Sequence, residues 1–230
     1  MQAIVICSVG NIGLNVLLCS LRTYCPKIPV YLSSKNTEDA DLVDTCIHNV
    51  ATNFGDAYNA AMSKAFYDGF DEIIIANDDV VITPTTIDKL KADVELLKNH
   101  TDKLGFVGAR SDYVLWDQNI RCSITNDSIV GLKYESEDHI KQVGVIAPIF
   151  AYISKQAFDT ARFPSTNWYS DNIICDDLSN AGFQHFVSTA YVHHAGSQTV
   201  GMDYAKCHEE PREWIRTNRP DKYEEIYGTP

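Results

Sequence analysis

The residues best suited to chemistry fall in three short stretches. The first is IIIANDDVVITP, residues 73–84, where an apolar run leads into Asn77-Asp78-Asp79. Two adjacent carboxylates in a cleft drive one pKa upward unless a cation joins them, and hard oxygen donors of this kind suit Mg²⁺ or Mn²⁺. Asn-Asp-Asp after a strand is also suitable composition for a surface turn. The second stretch is WYSDNIICDDLSNAG, residues 168–182. Asp171 follows two aromatic residues at the expected mouth of a helix, a place for a general base in a cleft and equally for an N-cap. Asp176 and Asp177 fall a turn and a half later and are expected to be structural or solvated. The third is VHHAGSQT, residues 192–199. A neutral imidazole at that strand end could complete a metal shell with the carboxylates. Successive strand residues point to opposite faces, so only one of His193 and His194 should face the site.

These stretches need elements to position them. AIVICS (3–8) reads as a short apolar strand, and Leu14, Leu17, Leu18 and Leu21 mark one face of a helix ending near Tyr24. IPVYLSS is a second strand, and Thr37-Glu38-Asp39 predicts a helix running to about His48. Asn53-Phe54-Gly55 precedes a helix over 56–68 with alanines suited to close packing, stopped by Gly69, and EIIIA is the next strand. Thr83-Pro84 should open a helix to about Asn99, with a strand at 104–109. The alternation of strand and helix implies a mostly parallel sheet flanked by helices. In such sheets ligands sit beyond the carboxyl ends of the strands, where Asn77-Asp78-Asp79 lies. Residues 110–142 form a less regular excursion with weak strand signals at Ile124, Val130 and Leu132. Beyond it come VGVIAPIFAYIS as a strand or bent pair, helices at 154–161 and 170–182, the strand HFVSTAYVHH, and a mainly helical tail from Tyr204.

Composition narrows the class. The 230 residues, 45% hydrophobic and 22% charged, can build a sizeable core. No apolar run approaches the roughly 20 residues that cross a bilayer, and the start lacks the basic n-region of a signal peptide, so a cytoplasmic protein is expected. The seven cysteines are scattered without a C-x-x-C pair, which argues against a disulfide framework or a cysteine zinc site. A formal net charge of -12 opposes a broad electrostatic grip on nucleic acid. Lys206, Arg212, Arg216, Arg219 and Lys222 recur at roughly helical spacing but are interleaved with glutamates, the pattern of a solvated helix laced with ion pairs.

The three stretches, in this order, resemble the GT-A glycosyltransferases, especially the family 2 group of inverting sugar transferases. NFGDAYNAAMSKAFYDGFDEIIIANDDVVITPTTIDKL is similar to that family's run from a nucleotide-contacting Asn-x-Gly segment into the strand bearing its DXD-type metal motif. FAYISKQAFD resembles its acceptor-side strand and helix. YSDNIICDDLSNAG resembles the segment whose Glu-Asp pair supplies the base, with Ser170 at the Glu position and Asp171 left as base. HHAGSQT is similar to a His-x-Gly-Ser element, and DKYEEIYG to a closing aromatic-Gly signature. The family's acidic residue after its second strand is absent, replaced by Ser33-Ser34-Lys35-Asn36.

The resemblance implies one GT-A domain over 1–230, Rossmann-like, with a nucleotide-sugar half (1–109) and a mixed acceptor half (110–230). It implies a nucleotide-sugar donor, a UDP-sugar first, and Mn²⁺ or Mg²⁺ held by Asp79 and His194 against the diphosphate. Cys7, Ser8, Val9, Asn53, Gly55, Asn59, Asn77 and Asp78 would bind the donor. Asp171 would deprotonate an acceptor hydroxyl for a single inverting displacement. The acceptor is expected to be a glycan or lipid-linked saccharide, or alternatively a hydroxymethylated base of viral DNA. Outside this class stand a nucleotidyltransferase, against which CSVGNIGLN offers no Lys or Arg, and a non-catalytic nucleotide-sugar-binding module.

Overall fold

The computed structural model describes residues 2–8, 13–48, 51–114, 116–123, 130–132, 139–196 and 204–228. Strand β1 (Gln2–Ser8) is almost continuously apolar and buried, as a central parallel strand must be. Helix α1 (Gly13–Tyr24) lays the expected leucine stripe on the sheet, followed by β2 (Val30–Ser34). The predicted helix to His48 is replaced by a single 3-10 helix, Thr37–Leu42, and a strand, β3 (Thr45–His48). Thr45 and Ile47 are both β-branched, and the open edge of β2 pairs in parallel with Thr45–His48. Tertiary pairing thus outweighs a weak helix-start signal.

Helix α2 (Phe54–Tyr67) leads into β4 (Glu72–Asn77). Gly69, at φ 97, makes the left-handed stop that ends α2. A short β5 (Val80–Ile82) precedes α3 (Thr86–Lys98), so Pro84 lies before the helix and not in its first turn. The Thr86 hydroxyl accepts from the Thr83 N–H at 2.8 Å and donates to the Tyr191 carbonyl at 2.6 Å, which delays the start. β6 (Leu104–Ser111) follows. Then come β7 (Arg121–Ser123) and β8 (Val130–Leu132), an antiparallel pair apart from the main sheet, with Ile124 outside the described residues. β9 (Lys141–Val143), β10 (Phe150–Ser154), α4 (Lys155–Thr160), α5 (Ser170–Asn180) and β11 (Gln184–His194) complete the core, followed by α6 (Tyr204–Glu209), α7 (Arg212–Asn218) and α8 (Pro220–Tyr227).

Among the described residues one nine-stranded sheet runs β3-β2-β1-β4-β10-β6-β11-β5, with β9 also paired to β11. The first four strands are parallel, whereas β10 runs antiparallel between β4 and β6. Strands from both halves of the chain therefore share one sheet. Its faces carry separate cores. Ile4, Ile6 and Ile74 pack with α1 and α3, while Ala3, Val5 and Ile75 pack with α2, α4 and α5. Register sets the functional edge: Cys7 pairs with Asn77 and Ser8 with Ser34, so β1, β2 and β4 end together. His194 pairs with Val80, which brings the end of β11 beside the Asp78-Asp79 turn.

Gly55 is a steric requirement. A Cβ there would lie 1.8 Å from the Pro164 carbonyl oxygen, and the Gly55 N–H donates to the Thr166 carbonyl at 3.2 Å. This contact seats the segment leading to Asp171 on α2. Gly55→Ala is expected to cost about 3 kcal/mol, a fall in Tm of roughly 6–12 °C for a chain of this size. Thermal unfolding checks this, and an unchanged Tm would mean the 163–167 segment yields freely.

Candidate active site

Beyond the ends of β1, β2 and β4 lies a cavity of about 580 Å³, a size typical of small-molecule sites. Cys7, Ser8, Ser33, Ser34 and Lys35 line one flank, Asn77, Asp78 and Asp79 the middle, and Asp112, Tyr113, Asn119 and Arg121 the other flank. Trp168, Tyr169, Ser170, Asp171 and His194 close it. The three stretches singled out in the sequence thus meet in one place.

Asp79 and His194 are in contact, Oδ1 to Nε2 at 3.0 Å, with both side chains about nine-tenths buried. The other imidazole nitrogen, Nδ1, lies 2.5 Å from the Tyr113 carbonyl. A carbonyl only accepts, so Nδ1 carries the hydrogen and Nε2 is the nitrogen turned to Asp79. Burial pushes the imidazole pKa down, but the Asp79 carboxylate pushes it up and prevails. His193 points elsewhere: its side chain is half exposed and its Nδ1 meets Asp112 Oδ2 at 2.6 Å. Asp112 Oδ1 accepts the His194 N–H at 3.1 Å, so this carboxylate grips both histidines. Burial would raise the Asp112 pKa, yet these contacts bring it below the usual carboxylate range. Gly196, at φ 66, lets the chain turn against the Tyr113 ring, where a Cβ would lie 1.9 Å from a ring carbon.

Asn77 is held from behind. Its N–H donates to the Ile149 carbonyl at 2.8 Å, and its side-chain oxygen lies 3.2 Å from the buried Tyr58 hydroxyl. Burial, then the nearby Cys7, Asp78 and Asp79, keep that phenol well above its ordinary pKa and hence neutral. Burial likewise pushes the Cys7 thiol pKa well up, which favours the neutral thiol. Asn53 lines the cavity while its side chain caps α2, accepting from the Asp56 N–H at 2.9 Å.

Two expected donor contacts lie elsewhere. Gly55 and Asn59 are not on the cavity wall, and both ends of the Asn59 amide bond the main chain of Phe163, at 2.8 and 3.1 Å. They hold the segment that carries the Asp171 helix. Val9, like Ser197, Gln198 and Thr199, lies outside the described residues.

Asp171 sits in the first turn of α5 and is not its N-cap. That place belongs to Tyr169, in the left-handed region at φ 59. Such backbone costs about 1–3 kcal/mol and persists where its surroundings over-determine it. Here the Tyr169 hydroxyl meets His208 Nδ1 at 2.7 Å. Burial raises the Asp171 pKa, and the Asn172 N–H only partly offsets it. The neighbouring Ser170 hydroxyl is buried and has no hydrogen-bond partner among the described residues. His185 fastens α5 to the sheet, its Nδ1 accepting from the Phe106 N–H and its Nε2 donating to the Cys175 carbonyl, both at 3.0 Å.

Asp176 and Asp177 turn out to be anchors. Lys222 reaches Asp176 at 3.0 Å and Arg219 reaches Asp177 at 3.0 Å, clamping the tail onto α5. Arg212 and Arg216 pair with Glu209 and Glu213, the expected ion-pair lacing. These four cations are therefore committed within the protein. Sequence reasoning missed Asp112, Tyr113 and Arg121. The signal was an apolar strand, LGFVGARS, running into Asp112-Tyr113, the same pattern that drew attention to Asp78-Asp79.

No protein-family model matches the chain, and no curated protein matches it in sequence. Solved structures do match. The crystal structure of S. aureus TarS 1-349 aligns over 96% of this chain and 74% of its own, at 10% identity and a TM-score of 0.54. The same protein in complex with UDP-GlcNAc aligns over 94% of this chain and 63% of its own, at 10% identity and TM-score 0.59. A longer TarS structure, of which this chain covers 40%, gives 12% identity and TM-score 0.57. At such identities the likeness defines the fold, and that fold is GT-A-like. Among the described residues no helix is long and apolar enough to cross a membrane.

A raised pKa for a buried acid has a thermodynamic sign. Folding then favours the protonated form, so stability falls as pH rises through the ordinary carboxylate range toward the folded pKa. Asp171→Asn is therefore expected to raise Tm at pH 8, with the difference from wild type vanishing below about pH 3, where both states of the wild type are protonated. Parallel thermal melts across pH check it; a lower Tm for the variant at pH 8 would show that the carboxylate is stabilised where it stands.

Proposed function

We propose that this chain is an inverting glycosyltransferase that moves a sugar from a nucleoside-diphosphate donor, a UDP-sugar first, to an acceptor hydroxyl. The observation that carries the reading is the meeting of the Asp79–His194 pair and Asp171 on one cavity wall, at the strand ends of a GT-A-like sheet. TarS, which has that fold, was solved with UDP-GlcNAc. Residues 1–109 serve as the donor half and residues 110–230 as the acceptor half of one domain.

The residues present fit a hard divalent ion, Mn²⁺ or Mg²⁺. A metal-ligating histidine usually donates its second N–H to a carbonyl or carboxylate, and Tyr113 supplies that carbonyl to His194. Asp79 Oδ1 and His194 Nε2 would hold the ion. Among the described residues no group of three His, Cys, Asp or Glu side chains is arranged to hold a metal. Mg²⁺ commonly takes one or two carboxylates from a protein, with substrate phosphates completing its shell. The ion would supply Lewis-acid stabilisation of charge on the departing diphosphate.

The chain's own residues do the rest. Ser8, Ser33, Ser34 and Asn53 border the nucleotide side, and Asn77 and Asp78 brace the turn carrying Asp79. Asp171 accepts the acceptor hydroxyl's proton, its raised pKa making it a better base than an exposed aspartate. Trp168 and Tyr169 offer apolar ring faces beside it. A single displacement inverts the anomeric centre. Arg212, Arg216, Arg219 and Lys222 are engaged in ion pairs, which favours a carbohydrate acceptor over hydroxymethylated DNA.

Thermal unfolding with UDP, GDP, CMP or dTDP, each with Mn²⁺ and again with EDTA, tests the donor. One nucleotide at about 100 times its Kd should add roughly 2.7 kcal/mol, only with metal. Asp79→Ala should abolish that shift. Asp171→Asn should keep it while lowering sugar transfer by at least about 100-fold, the scale of general-base loss. The wild-type rate should fall on the acid side at a pH above the ordinary carboxylate range. Full transfer by both variants would overturn the site assignment, and the absence of any nucleotide shift would favour a non-catalytic module.

A further inference from the structure

We infer that the acceptor is anionic and that Arg121 binds its phosphate or carboxylate group; this rests on the glycosyltransferase reading above. Arg121 lines the cavity on the flank beyond β6, whereas Lys35 lines it beyond β2, with Asp78 and Asp79 between them. Lys35 thus stands on the donor side and Arg121 on the side of the second substrate.

The Arg121 guanidinium is positioned by a ring contact. It lies over the Tyr113 ring, 5.4 Å from its centroid, and that ring in turn meets His194 edge-on at 6.0 Å. Among the described residues it makes no ion pair or hydrogen bond. The other six arginines each donate to a carboxylate or a main-chain carbonyl.

Its main chain is held firmly. The Arg121 N–H donates to Asn119 Oδ1 at 2.8 Å, Asn119 Nδ2 donates to the Val114 carbonyl at 2.7 Å, and the Ile120 N–H bonds the Ser111 carbonyl at 3.0 Å. Gln118 ties the same turn to Ala109 and Ala147. A guanidinium stacked on an aromatic face keeps its planar fork of N–H donors, which matches the oxygens of phosphate or carboxylate in pairs. Preorganisation of this kind spares the ordering cost that a flexible surface arginine would bear on binding.

The test uses the full chain saturated with UDP and Mn²⁺ at constant ionic strength. Glycerol 3-phosphate, glucuronate and glycerol are titrated by calorimetry into wild type, Arg121→Ala and Arg121→Lys. The wild type should bind at least one anionic probe tenfold or more tightly than glycerol, and whichever anion wins names the group. Arg121→Ala should erase the preference and Arg121→Lys retain part of it, with UDP affinity unchanged within twofold. Equal binding of all three probes by wild type would overturn the inference. So would a loss of UDP affinity in Arg121→Ala matching the loss for the anion, since Arg121 would then serve the donor. If wild type fails to bind UDP yet shows an Arg121-dependent anion preference, the donor reading fails and the anion site stands.

Discussion

Four carboxylates, from Asp78, Asp79, Asp112 and Asp171, line one cavity, and most of the site's construction answers their mutual repulsion. Asp79 is met by His194 and Asp112 by His193, so consecutive residues of β11 serve two different acids. Asp171 stands apart, on a helix rather than a strand end, and takes up its burial as a raised pKa. Asp79 and Asp112 are therefore each paired with a histidine, Asp78 lies beside Asp79 in the same turn, and Asp171 is a poorly solvated acid at the cavity edge. Under the proposed glycosyltransferase reading, the paired acids would serve charge stabilisation and Asp171 proton abstraction.

The sheet makes that arrangement possible. Three parallel strands ending at the same level put Ser8, Ser34 and Asn77 on one rim. β11 is the longest strand and spans the distance from the β9 side to β5, so its last residues reach the Asp79 turn. The Ala195 N–H then bonds the Asp79 carbonyl at 3.0 Å, extending the ladder past the strand end. The carboxylate turn and the histidine pair are consequently fixed to each other by main-chain hydrogen bonds as well as by charge.

The helical tail completes the other side. Arg219 and Lys222 grip Asp177 and Asp176 on α5, and Tyr169, His208 and Tyr227 pack ring against ring, with the Tyr227 hydroxyl on the His208 carbonyl. This packing holds Tyr169 in its left-handed conformation just before Asp171. Residues that looked like a solvated, salt-bridged helix in the sequence thus set where the α5 mouth stands.

Much of this was legible in the chain itself. Apolar runs, leucine and alanine stripes and the Gly69 stop define the β1–α1–β2 and α2–β4 units, because local periodicity and the burial of a central strand act on the same residues. Asp78, Asp79 and the His193-His194 pair were visible because strand-end acids and paired histidines are chemically conspicuous wherever they fold, and Asp171 because it follows two aromatic residues at a helix mouth. Other features depended on partners distant in sequence. β3 replaced a helix because the edge of β2 was free to pair. Asn59 and Gly55 became supports for 163–167, a contact between segments more than a hundred residues apart. Which histidine faces Asp79, and that Arg121 lies over the Tyr113 ring across the cavity from Lys35, follow from strand register and from the turn stitched to β6. Such choices rest on contacts across the sheet, and no local pattern in the chain encodes them.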